Sequence, residues 1–139
     1  MNVKVKELMT KSVVTTQPHV PIAKVRTLVG RSKVGALPVV DAEGHPVGIV
    51  SKADLIADTN PSSPIRKIMT EKVYTVSQYD EVSVAARIMR NRKIHRVVVT
   101  HEQKVVGMLS SFDLLKLVEG RRFVAKNAPT PSKKSAKRS

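Results

Sequence analysis

The chain has no cysteine and no tryptophan, and aromatic residues make up 3% of its 139 positions. Disulfides and thiolate metal sites are thereby excluded, which fits a reducing compartment. With few rings to pack, Val, Leu and Ile must fill the core. No run of about eighteen apolar residues occurs, and Met1-Asn2-Val3-Lys4-Val5-Lys6-Glu7 lacks the apolar centre of a signal peptide. The expectation is a cytoplasmic protein with no membrane partner. There is no glycine-rich phosphate loop of the Walker or dinucleotide type. His19, His45, His95 and His101 show no metal-ligand spacing, so neither a metal nor a resident cofactor is expected. Ser51 and Ser110 have no paired base nearby in sequence, and no catalytic set stands out. The expectation is a non-enzyme.

Acidic side chains are scarce, 11 against 25 basic ones, for a net charge of +14. After Glu119 they vanish, while seven basic residues lie between Arg121 and Arg138, half of the whole excess. Residues 121–139 show no apolar periodicity and read as a disordered basic tail. Such a tail can hold nucleic acid by counterion release, but a solvated extension is the plainer reading of a charge block.

What is present is a repeat. Val5-Lys6-Glu7-Leu8-Met9-Thr10 returns 60 positions later as Ile65-Arg66-Lys67-Ile68-Met69-Thr70. Gly48-Ile49-Val50-Ser51-Lys52-Ala53-Asp54-Leu55 returns 59 positions later as Gly107-Met108-Leu109-Ser110-Ser111-Phe112-Asp113-Leu114, so a turn of the second copy is one residue shorter. A period this long marks a duplicated supersecondary unit, each copy too small to bury a core alone. The organisation expected is repeat 1 over 1–57, a Pro- and Ser-rich linker over 58–64, repeat 2 over 65–120, and the tail.

One copy predicts the other. Val13-Val14-Thr15-Thr16, stopped by Pro18, reads as a strand, and Ile22, Val25, Leu28 and Val29 mark one face of a helix ending near Gly30 or Gly35. Leu37-Pro38-Val39-Val40, the turn at Asp41–Gly44 and Val47-Gly48-Ile49-Val50 read as a hairpin, followed by a helix from Ser51. Val73–Val76, then Val82, Ala85, Ile88 and Met89, then Val97–Val99 and Val105–Leu109 repeat this plan, and Leu114 to Val118 closes it with a last helix. The fold class is α/β (α+β), two β-α-β-β-α units.

Two features bear chemistry. The block Gly-apolar-apolar-Ser-x-x-Asp occurs twice, with Ser51 and Asp54, then Ser110 and Asp113. Ser-x-x-Asp is close to a capping box and so explicable as helix-start chemistry. Its hydroxyl and amides also suit a phosphate, and its carboxylate a ribose diol. The second feature is His95-Arg96, which stands where the first copy has Gly35-Ala36. A guanidinium fork with a neighbouring imidazole suits phosphate oxygens.

In these blocks, in Leu8-Met9-Thr10 and Ile68-Met69-Thr70, and in Leu37-Pro38-Val39-Val40-Asp41, the chain resembles a tandem pair of cystathionine-β-synthase-type (CBS) domains, a Bateman module, over roughly residues 5 to 118. The resemblance implies two units packed sheet to sheet about a pseudo-twofold axis, often assembled as a flat homodimer. It also implies an AMP, ADP, ATP or related adenosyl ligand in the clefts between units, and ligand-dependent regulation of a partner protein. By position, one cleft would use Ser51 and Asp54 with His95 and Arg96, its base lined by Val13, Val14, Thr15 and Pro38. The other would use Ser110 and Asp113 with Tyr74 and Thr75, without a cationic anchor. Thr100-His101 replaces the Val-Asp of the first copy, Val98 replaces Pro38, and His19 and Tyr79 stand where the pattern has an acid. Two other functions fit the sequence: a dimeric module holding nucleic acid through its tail, and a purely structural oligomerisation module.

Overall fold

A computed structural model describes residues 2–32, 35–56 and 60–119. The tail, and with it the expectation of disorder there, lies outside the described residues. In chain order the elements are α1 (Val5–Leu8), β1 (Thr10–Lys11), α2 (Ile22–Arg31), β2 (Ala36–Val40), β3 (Pro46–Ser51) and α3 (Lys52–Ile56). The second copy supplies a 3-10 turn (Ile65–Lys67), β4 (Thr75–Ser77), α4 (Val82–Arg92), β5 (Arg96–His101), β6 (Lys104–Ser110) and a 3-10 helix (Asp113–Leu117).

The two sheets share one plan. One runs β1-β6-β5-β4, antiparallel except for the parallel β4–β5 pair. The other is the β2–β3 hairpin, flanked by single bridges from Thr16 to Val39 and from Thr70 to Ile49. Thr10 and Thr70, sixty positions apart, thus each pair with the hairpin of the opposite copy. Their burial follows suit. Val5 packs among Val76, Val82, Ala85 and Leu109 of the second copy, while Ile65 packs among Ile22, Val25, Leu37 and Val50 of the first. The segments that open each copy are exchanged, so neither copy has a complete core of its own. Each exchanged side chain is fully buried, which contributes about 2 kcal/mol of transfer free energy. Ala36, Val98 and Met108 form a third apolar cluster, against which Val13, Ile49 and Val73 pack.

Local chemistry explains most boundaries. Ile22, Val25 and Val29 face inward from α2, and Val82, Ala85 and Met89 do so from α4. The missing residue lies in the second hairpin turn, where Glu102 and Gln103 alone connect β5 to β6, both at positive φ as a tight two-residue turn requires. The first hairpin spends five residues on the same reversal, and the Asp41 carboxylate staples it by accepting hydrogen bonds from the amides of Glu43 and His45, both at 2.9 Å. Three elements differ from expectation. Thr16 makes only a single bridge rather than a strand over Val13–Thr16, because one partner amide and one carbonyl are within reach, at Val40 and Pro38. The strand expected over 73–76 is shifted to Thr75–Ser77. The expected last helix is 3-10, with Leu114, Leu115 and Val118 bonding three residues back. Among the described residues, no helix is long and apolar enough to cross a membrane.

Candidate functional site

The repeated Ser-x-x-Asp block forms a reciprocal cap in both copies. Asp54 Oδ2 accepts from the Ser51 amide at 2.8 Å and from its hydroxyl at 3.2 Å, while the Asp54 amide donates to Ser51 Oγ at 3.4 Å. In the second copy the Ser110 amide donates to Asp113 Oδ2 at 2.9 Å and the Asp113 amide to Ser110 Oγ at 3.1 Å. These bonds fix each carboxylate at the end of a hairpin strand. They also satisfy the strand-end and helix-start amides, leaving the carboxylates rather than helix dipoles as the chemically useful groups.

The glycine of each block has a structural cause. A Cβ on Gly48 would meet Met69 Sδ at 2.5 Å, and one on Gly107 would meet the Thr10 carbonyl oxygen at 2.6 Å. The close approach at both glycines is therefore made by the exchanged segments.

Between the copies lies a cavity of about 340 Å³. Ser51 and Asp54 stand on its first-copy wall, with Ala36 and Ile49. His95 and Arg96, at the start of β5, stand on its second-copy wall. The four polar residues grouped from the sequence therefore share one hollow. The wall expected from Val13, Val14, Thr15 and Pro38 is instead built by Thr70, Lys72, Val73 and Tyr74. The reason is the exchange: the chain leading out of Thr70 follows its bridge to Ile49 and so runs along the first copy's hairpin. Val13 packs in the third apolar cluster and Val14 against the first copy's core, Thr15 is half-buried outside this cavity, and Pro38 is buried within β2.

A second cavity, about 270 Å³, holds Ser110 and Asp113 with Thr10, Ser111 and Phe112. Tyr74, expected beside Ser110 and Asp113, lines the first cavity, and Thr75 is exposed at the start of β4 and lines neither. The cationic anchor expected to be missing here is supplied by His95 and Arg96, which line this cavity as well. His95 Nδ1 lies 3.3 Å from Ser111 Oγ.

Lys72 also lines the first cavity, a position the sequence pattern does not single out. It projects beside Tyr74, its Nζ 5.7 Å from the ring centroid, with Arg92 Cζ at 5.6 Å from the same ring. The signal that could have found it is its counterpart, Ser12, an uncharged residue at the same place in the first copy. The first cavity thus carries Lys72 and Arg96, with the His95 imidazole beside them, against Asp54, a surplus of positive charge suited to an anion. Away from the clefts, ligand atoms of Asp41, Glu43 and His45 lie within 4.8 Å of one another. Asp41 there is engaged by the turn amides and by His45 Nδ1 at 3.2 Å.

The family model for the CBS domain matches residues 5–58 and again residues 65–120. The chain belongs to the CBS domain family and carries a tandem pair of these domains. Among curated relatives, a 17.7 kDa protein of Acidianus ambivalens is 30% identical over 120 residues, covering 84% of this chain and 73% of that protein. A Methanocaldococcus jannaschii protein, MJ1404, is 29% identical over 133 residues, 83% of this chain but only 32% of the relative's length. Among solved structures, the CBS domain pair of protein MJ0100, in complex with 5′-methylthioadenosine and S-adenosyl-L-methionine, superposes with a TM-score of 0.78 at 27% identity, covering 88% of this chain and all of that one. A conserved protein from Pyrococcus horikoshii superposes with a TM-score of 0.74 at 26% identity, covering 90% of this chain and 98% of that one.

Proposed function

We propose that this chain is an adenosyl-ligand-sensing regulatory module rather than an enzyme. The observation that carries the reading is the meeting of Ser51 and Asp54 from one copy with His95 and Arg96 from the other in a single cavity. Asp54 takes the ribose hydroxyls, the apolar side chains of Ile49, Val73 and Ile94 with the Tyr74 ring receive the base, and Arg96, His95 and Lys72 face the phosphate. The adenosyl ligands of the MJ0100 pair, at the same fold and 27% identity, support the ligand class. A ligand touching both copies binds best to one arrangement of them, and that difference in affinity is what a partner protein, or the second subunit of a flat homodimer, reads out.

Calorimetric titration with AMP, ADP, ATP and 5′-methylthioadenosine tests the reading. Saturable heats in the wild type whose tightest step is lost in Asp54→Ala support it. Absence of binding by all four at millimolar concentration overturns it and leaves the structural oligomerisation module as the better account.

A further inference from the structure

The two clefts share a histidine and an arginine. His95 and Arg96 line the cavity of Ser51 and Asp54, and the same pair lines the cavity of Ser110 and Asp113. The positions sixty residues earlier, Gly35 and Ala36, bring no charge. The Arg96 guanidinium reaches across to the first copy, where a Cβ on Gly35 would lie 3.6 Å from one of its terminal nitrogens. His95 leans the other way, toward Ser111, which lines the second of these cavities and not the first. A guanidinium offers its planar fork to one bidentate anion at a time. A second anion brought against the same cation also meets the repulsion of the first.

Resting on the adenosyl reading above, we propose that the two clefts compete for one cationic anchor, Arg96. A phosphate-bearing adenosyl ligand in one cleft weakens a phosphate-bearing ligand in the other by about tenfold, within the usual range of coupling between sites. An uncharged adenosyl ligand exerts no such effect. Lys72 lines the first cavity and not the second, so the first fills with the phosphate ligand at low concentration and the second is left to uncharged ones. The device makes the pair a reader of mixtures: charged and uncharged adenosyl compounds are held together, two charged ones are not.

The test is calorimetric titration of the full chain with AMP, and separately with 5′-methylthioadenosine, on wild type, Asp54→Ala and Asp113→Ala. The wild type takes a first AMP and then a second about tenfold more weakly. In Asp54→Ala, which disables the first cleft, the remaining AMP binds about tenfold more tightly than the wild type's second, and Asp113→Ala leaves the wild type's first step unchanged. The same comparison with 5′-methylthioadenosine shows no gain. An AMP step in Asp54→Ala equal to the wild type's second step, or no AMP step there at all, overturns the competition while the adenosyl reading stands. Absence of AMP binding in all three proteins overturns both. Should Asp54→Ala fail to give a cooperative melt, Asp54→Asn, which keeps an oxygen to cap Ser51, replaces it.

Discussion

Met69 lies across the backbone of Gly48, so near that a Cβ on the glycine would come 2.5 Å from its Sδ. Met9 repeats the relationship at Gly107, at 2.9 Å, with the Thr10 carbonyl oxygen nearer still at 2.6 Å. The two glycines differ in what a methyl group would displace. At Gly48 it meets the end of a flexible thioether, which can swing away. At Gly107 it meets backbone held in the β1–β6 ladder. Gly48→Ala is therefore expected to cost about 1 kcal/mol and Gly107→Ala about 3 kcal/mol, the two ends of the usual overpacking range. Urea unfolding checks this, and adding Met69→Ala to Gly48→Ala should recover part of the loss through their coupling.

The exchange of opening segments predicts that damage appears in the wrong half of the sequence. Ile65→Ala removes a fully buried side chain from the first copy's core and is expected to cost about 2–4 kcal/mol. Hydrogen exchange should then rise in α2, β2 and β3. Val5→Ala should instead raise it in α4, β5 and β6, the elements it packs against. Faster exchange confined to each residue's own sequence half would refute the exchanged packing.

Arg96 is expected to act through its fork and not only its charge. Arg96→Ala should weaken AMP binding about ten- to a hundredfold, the worth of a charge-assisted hydrogen bond. Arg96→Lys should recover only part of it, because an ammonium cannot make the bidentate contact. Binding of uncharged 5′-methylthioadenosine should change little in either variant. Equal losses for both ligands would place Arg96 in the packing of the cleft rather than at a phosphate.

How much of this was legible in the sequence depends on the range of the interaction. The repeat, the inward faces of α2 and α4, the hairpins and the caps rest on local spacing, and the sequence shows them directly. Ser51 ends β3 and Arg96 begins β5, with Asp54 and His95 within three residues of them, so the repeat fixes the places from which all four line one cavity. The wall opposite them was not legible. Nothing in the local pattern of Ile68-Met69-Thr70 says that it crosses to the other copy, and that crossing is what puts Lys72 and Tyr74 where Val13 and Val14 are expected. The sharing of Arg96 by two clefts was hidden for the same reason, since it depends on where a long side chain ends.

Acid should loosen the turn of the first hairpin. The backbone amide of His45, then that of Glu43, holds the Asp41 carboxyl below its ordinary range, with His45's imidazole adding to the effect. A carboxyl depressed in the folded state stabilises fully above its unfolded pKa, and the contribution fades as pH falls through the lower folded value. Asp41→Ala should therefore be less stable than wild type near neutral pH, with the gap closing at pH values below the ordinary carboxylate range. The turn is exposed, so the gap is small and is best followed by amide exchange at Glu43 and His45. A gap that persists unchanged in strong acid would mean that the side chain acts there by packing rather than as a charged acceptor.

The basic segment after Glu119 separates the adenosyl reading from the nucleic-acid one. Deleting residues 121–139 removes seven of the 25 basic side chains and keeps every described residue that lines the two cavities. AMP affinity should therefore remain within about twofold of the full chain, a change below ~0.5 kcal/mol. Any binding of single-stranded RNA by the full chain should be steeply salt-dependent, with a log–log slope of up to about −5 if all seven charges engage phosphates, and should disappear on deletion. Filter binding at several salt concentrations measures the slope. RNA affinity that survives the deletion would move the contact onto the folded pair, where Arg87, Arg90, Arg92 and Lys93 leave α4 and the turn after it strongly basic.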